Sequence, residues 1–307
     1  MLVFAASDKG GTGRSVTSSN VVYRSALDGN DVCYLDFDFG SPTVGAIFQI
    51  TSVARGTKDG GLHNYLLGRK PEAQRLDVWN TSERTILRDR PARAGRLLLY
   101  PGDAGMGEFM AEHRDSIIDA CVRLFLRLEE EFELTLVDLS AGRSFATELV
   151  LAATARPELQ NVKQRWLVFH RWTSQHVVAA SSLVYGAGGI RETAKKYNHD
   201  PAKMTAGLRF VRTAVINPDS THTEGLTPAQ DAWLKRTHQD LLELAGANQV
   251  GRNVLLGEIP LDPVLQWHEQ LISDDDVLAS GIARQATADA FAELALSLMD
   301  DSRWRES

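Results

Sequence analysis

Cysteine is nearly missing from this chain: Cys33 and Cys121 are the two in 307 residues. They lie far apart and match no metal or redox spacing, so iron–sulfur chemistry is excluded and both read as small buried hydrophobes in a reducing compartment. Lysine is scarce as well, 8 against 25 arginines. With 33 basic and 40 acidic residues the net charge is −7, which argues against a generally basic nucleic-acid binder and leaves room for a local patch. Long apolar runs are missing too. Leu2–Ala6 is too short for a signal-peptide core and has no basic segment before it. Val177–Ile190 is broken by serines and glycines and is too short to span a bilayer. The expectation is a cytoplasmic protein without a membrane segment. Eight histidines show no H-E-x-x-H or comparable ligand spacing, and no G-x-S-x-G elbow exists, so zinc-protease and serine-hydrolase chemistry have no support.

What is present is ordinary globular composition, 43% hydrophobic and 24% charged, arranged as strand, turn, helix, strand. Apolar runs at Leu2–Ala6, Val32–Leu35, Arg96–Tyr100, Leu134–Leu139, Arg165–Phe169, Leu208–Ile216 and Asn253–Leu256 read as buried strands. Between them Ser15–Leu27, Gly107–Glu131, Ser144–Ala155, Ser174–Tyr185, Pro228–Leu244 and Ile282–Met299 read as helices. Such alternation needs crossover connections, so the expected fold is α/β, a doubly wound, mainly parallel sheet with helices on both faces. One domain over 1–307 is expected, with surface insertions around 51–61, 70–94 and 186–206. In the last of these, Lys195, Lys196 and Lys203 read as a solvated basic face.

Directly after the first strand stands Lys9-Gly10-Gly11-Thr12-Gly13-Arg14-Ser15, and the Ser15–Leu27 helix follows. Successive glycines let backbone N–H groups turn around an anion, and the helix start adds partial positive charge. Ser15 stands where the P-loop pattern puts a Mg²⁺-binding hydroxyl. Measured against G-x-x-x-x-G-K-[ST], Asp8 replaces the first glycine and Arg14 the lysine. Downstream, Val32–Asp38 is an apolar run ending in Asp36-Phe37-Asp38, and Leu134–Gly142 is an apolar run ending in Asp138 and, four residues on, Gly142. The pair Asp36 and Asp38 falls where a strand's carboxyl end adjoins the loop. Ala214-Val215-Ile216-Asn217-Pro218 and Leu255–Asp262 are turn-like segments after two late strands.

These segments resemble, in order, those of the ParA/MinD family of P-loop ATPases, whose deviant Walker A loop reads K-G-G-x-G-K-[ST]. The resemblance runs from Leu2 to about Met299. It implies ATP and Mg²⁺ as cofactors, with Gly10, Gly11, Thr12, Gly13, Arg14, Ser15 and Val16 around the phosphates. It also implies Ser15, Asp36 and Asp138 around the metal. Asp38 would orient the attacking water, the Gly142 amide would sense the γ-phosphate, and Asn217 and Pro260 would hold the adenine. Lys9 would reach across an ATP-bound homodimer to the partner's phosphates.

Arg14 departs from the pattern. Arginine keeps the charge but is larger, planar and rigid, so the exchange is not conservative in a tight phosphate cradle. Nucleotide binding is therefore expected to survive better than hydrolysis. The expected function is an ATP-binding dimerisation switch that positions or recruits an unidentified protein cargo or meets an activator, with slow or impaired turnover. The alternative is a degenerate nucleotide-binding scaffold without an ATPase cycle. A small-carboxylate ligase of the dethiobiotin-synthetase type is disfavoured by Lys9. DNA binding rests on local patches such as Lys195-Lys196. Arg143 and Arg171 are open to either nucleotide or DNA. The apolar stripe Phe291–Met299, flanked by acids, reads as core rather than a membrane anchor.

Overall fold

The computed structural model describes residues 1–107, 109, 114–218 and 225–305. His113, His222, Glu306 and Ser307 lie outside the described residues, as does part of the expected 107–131 helix. Eight strands form one sheet: β1 Leu2–Ala6, β2 Val32–Phe37, β3 Leu76–Asp77, β4 Leu97–Tyr100, β5 Leu134–Leu139, β6 Gln164–Arg171, β7 Leu208–Val215 and β8 Leu255–Pro260. Their order is β3-β4-β2-β5-β1-β6-β7-β8. All pair in parallel except β3 with β4. The expected α/β architecture is present.

The strands are continuous apolar runs because both faces are covered. Leu2, Phe4 and Ala6 enter one core layer, while Val3 and Ala5 enter the other. Six longer helices do the covering: α1 Arg14–Leu27, α2 Arg114–Glu131, α3 Phe145–Thr154, α4 Ser174–Tyr185, α5 Pro228–Ala247 and α6 Gln285–Met299. Residues Val16 to Ala26 of α1 are all buried. Phe291, Leu294 and Leu298 of α6 are core residues, as expected. Among the described residues no helix is long and apolar enough to cross a membrane.

The connection out of β1 runs to β2 on one side, and the connection out of β5 crosses β1 to reach β6 on the other. The carboxyl end of β1 is therefore the point where the winding reverses, and a crevice opens there. Two buried polar anchors shape its rim. Asn20 of α1 donates to the Gln270 carbonyl at 3.0 Å and accepts from the Ile272 N–H at 2.7 Å. Arg24 adds bonds to the Ile272 carbonyl (2.8 Å) and Asp274 (2.6 Å). Further along the rim, Asp262 accepts from the Arg284 N–H at 3.0 Å and the Thr287 hydroxyl at 2.7 Å.

Two expectations need correction. The last strand runs Leu255–Pro260 rather than Asn253–Leu256. Gly257 is there for close packing, since a Cβ would sit 3.1 Å from Leu294 Cδ1. Pro260 is tolerated because β8 is an edge strand. The 70–94 stretch is more than a surface excursion. It supplies β3 and buries Val78, Trp79 and Leu87, with Trp79 Nε1 donating to the Gly95 carbonyl at 3.1 Å. The polar and charged residues around the short pairs Val78-Trp79 and Ile86-Leu87 hid them.

The 186–206 stretch carries short helices at Ile190–Lys196 and Pro201–Ala206. Its basic face is partly neutralised: Glu148 of α3 takes Lys196 (2.8 Å), Arg114 (2.6 Å) and the Tyr197 hydroxyl (2.9 Å). Partial burial opposes the Glu148 charge, but these three partners outweigh it and hold its carboxyl down at about 2. A depressed folded value stabilises the protein above the ordinary glutamate value and loses that contribution as pH falls. Glu148→Gln is therefore expected to lose roughly 1 kcal/mol at pH 7. Urea midpoints should converge with the unsubstituted protein as pH falls from 4.5 towards 2.

Candidate functional site

The loop between β1 and α1 has the form its glycines require. Gly11 (φ 71°) and Gly13 (φ 74°) lie in the left-handed region, which favours glycine. A Cβ at Gly10 or Gly11 would meet nothing within 4 Å, so that side of the loop is open. Lys9 is exposed, Ser15 half-buried, and Val16 buried in the first turn of α1. From the next strands, the Thr213 hydroxyl donates to the Thr12 carbonyl at 2.5 Å and props the loop from β7.

Beside the loop lies a cavity of about 530 Å³, in the size range of small-molecule sites. Its floor is Gly11, Thr12, Gly13 and Val16; Pro260 and Asp262 form one wall. Ala214 lines it with φ 52°, a left-handed alanine at the point where the β7–β8 register breaks. Arg171, at the end of β6, also lines it, with Nη2 3.4 Å from Gln266 Oε1. Arg143 turns elsewhere, to Asp8 (3.3 Å) and to Ser182 (2.9 Å). Asn217 is exposed beyond β7 and is not among the lining residues.

Arg14 does not point into this cavity. Its side chain is 6% exposed and turns back between the carboxyl ends of β1, β2 and β5. Nε donates to Asp138, Nη2 to Asp38 Oδ2 at 3.2 Å, and Nη1 to the Ser7 hydroxyl at 3.2 Å. Tyr34 donates its hydroxyl to the other Asp138 oxygen at 2.6 Å. Burial opposes the guanidinium charge, but Asp138 and Asp38 outweigh it and raise its pKa. Asp36 is buried and accepts the N–H groups of Asp38 (3.2 Å) and Val44 (3.3 Å). Burial, reinforced by Asp138 and Asp38, pushes its carboxyl well above the usual range, towards the neutral acid. Burial also raises Asp38, against the pull of Arg14. The Gly142 N–H donates to the Ser7 carbonyl at 2.8 Å.

The sequence motifs thus converge: Lys9 to Val16, Asp36, Asp38, Asp138 and Gly142 meet around one crevice, and Pro260 stands across the cavity. This donor set does not fit a divalent ion as it is arranged. Asp138 and Asp38 hold a guanidinium, and Asp36 is driven towards neutrality. Among the described residues no three histidine, cysteine or acidic side chains are grouped to hold a metal. Thr213 escaped the sequence reading, standing one position before the Ala214–Pro218 segment; Ala214 and Asp262 fall within the two late segments without a role of their own there.

No protein-family model matches the sequence, and no curated protein matches it. Solved structures do. The chain is similar to MinD of the MinC:MinD cell division protein complex of Aquifex aeolicus, with TM-score 0.58, 15% identity, and 97% of this chain and 95% of that one covered. A putative plasmid partition protein from Borrelia burgdorferi, bound to AMPPNP, gives TM-score 0.58 at 13% identity, covering 96% of each chain. The fold is ParA/MinD-like. Cobyrinic acid a,c-diamide synthase from Mycobacterium smegmatis, with bound ADP and magnesium, also matches at TM-score 0.57 and 17% identity, covering 96% and 91%. Identities this low speak for the ParA/MinD-like fold alone.

Removing the Arg14 charge would leave Asp38 and Asp138 as facing carboxylates in a buried place. Arg14→Met is expected to cost about 3–5 kcal/mol at pH 7, the scale for breaking a buried pair. The loss should shrink towards pH 4 as the Asp38 carboxyl, which burial raises, takes up a proton. Urea unfolding of both proteins across that range checks it.

Proposed function

We propose that the protein is an adenine-nucleotide-binding dimerisation switch of the ParA/MinD kind, which positions or recruits a protein partner and turns ATP over slowly or not at all. The observation that carries the reading is the open glycine loop at the buried N-terminus of α1, facing the cavity walled by Pro260. Inward amides and a helix start suit phosphates. A cavity running from the loop to Pro260 suits a base at its far end. In this reading the chain works as one domain over 1–307, and Arg171 joins the residues that meet the nucleotide. Lys9, exposed at the loop, is free to serve a partner subunit's phosphates. That the similar structures include proteins bound to AMPPNP or ADP supports the choice of ligand.

Slow turnover follows from Arg14. A cation committed to Asp138 and Asp38 is not on the phosphates where transferring charge develops. The same observation favours the second reading, a scaffold that binds nucleotide without a hydrolytic cycle. DNA is the weaker partner choice, because the net charge is −7 and Lys196 is paired with Glu148.

Light-scattering mass should double with a slowly hydrolysed ATP analogue and stay monomeric without nucleotide or with ADP. Dimers regardless of nucleotide would favour the scaffold. In turnover assays with Mg-ATP, Arg14→Lys should exceed the unsubstituted protein on the order of 10²-fold. Equal rates would refute the role given to Arg14.

A further inference from the structure

The acids at the strand ends are already engaged by the chain itself. One guanidinium spans Asp138 and Asp38 and takes the Ser7 hydroxyl as a third partner. Tyr34 donates to the remaining Asp138 oxygen, and Asp36 is engaged by two backbone N–H groups. Magnesium demands a near-octahedral shell and keeps several of its waters. To rest on Asp138 it would have to expel a planar cation held at three points in a buried place, and leave that cation beside a second positive ion. The loop and its cavity need no such displacement, since they lie on the open side of the glycines.

We propose that Arg14 is the resident cation of this crevice, so that the cavity takes the phosphates of an adenine nucleotide without a divalent metal. The inference rests on the nucleotide reading above and goes beyond it. Its chemistry is a substitution of charge carriers. The guanidinium holds the two carboxylates that would otherwise face the phosphates, the helix start adds partial positive charge at the loop, and no ion has to arrive with the ligand. Arg14→Lys would undo it. A lysine cannot bridge two carboxylates with a planar fork, so the acids become available to a hydrated ion.

Calorimetry of the full chain with ADP and with the slowly hydrolysed ATP analogue, each in excess magnesium and in EDTA, tests this. Dissociation constants agreeing within about threefold in the two buffers are expected, since differential binding of an ion would otherwise appear as linkage. Arg14→Lys should bind at least about tenfold more tightly with magnesium than with EDTA, the signature of a restored ion site. Binding by the unsubstituted protein only in magnesium overturns the inference and leaves the nucleotide reading standing. Binding in neither buffer overturns both. A second measurement is independent of nucleotide. Magnesium alone should raise the melting temperature of Arg14→Lys and leave that of the unsubstituted protein unchanged; a rise in the latter counts against the proposal. If the variant does not fold, the two-buffer comparison on the unsubstituted protein decides.

Discussion

One buried arginine organises the centre of this molecule. Three strands end in acids or hydroxyls at the same place, and an uncompensated carboxylate in such a site costs several kcal/mol. Arg14 settles the charge by joining Ser7 of the β1 end, Asp38 beyond β2 and Asp138 of β5. Because Arg14 is also the first residue of α1, the pairing fixes where the helix begins and hence how the glycine loop must turn. The loop's openness and the closed state of the acids are two results of one side chain's direction.

Much of this was legible in the sequence, and the reason is the spacing of 3.6 and the continuous apolar runs of buried parallel strands. β1, β5 and α4 fall where their residues place them, as do Lys9 to Ser15 and the acids at the carboxyl ends of β2 and β5. What escaped were features set by neighbours distant in sequence. Trp79 sits among polar residues and is buried because the Gly95 carbonyl and β4 meet it. Pro260 reads as a strand breaker and is tolerated at an edge. Arg14 could be seen to depart from the lysine pattern, but its direction could not be, since that depends on Asp138, 124 positions away. Similarly, nothing around Arg143 and Arg171 distinguishes the one tied to Asp8 from the one lining the cavity.

The fold and the site stand on different footing. Whole-length similarity to solved ParA/MinD-like structures speaks for the sheet order and the crevice at the β1 end. That architecture hosts cell division proteins, partition proteins and a synthase alike, so the chemistry has to be argued from side chains. Here those side chains differ from the family's pattern at the one position that touches both the acids and the loop.

The cavity wall between Asp262 and Gln270 is held at its two ends and, between them, forms the short helix Pro263–Trp267, with Val264 and Leu265 packed on the core. Asp262 is pinned to the start of α6, and the carbonyl of Gln270 is pinned to Asn20. The span linking these moorings includes Trp267, 84% exposed. Both moorings lie on helices that pack against the sheet, α1 and α6, so the wall keeps its place as long as those two helices keep theirs.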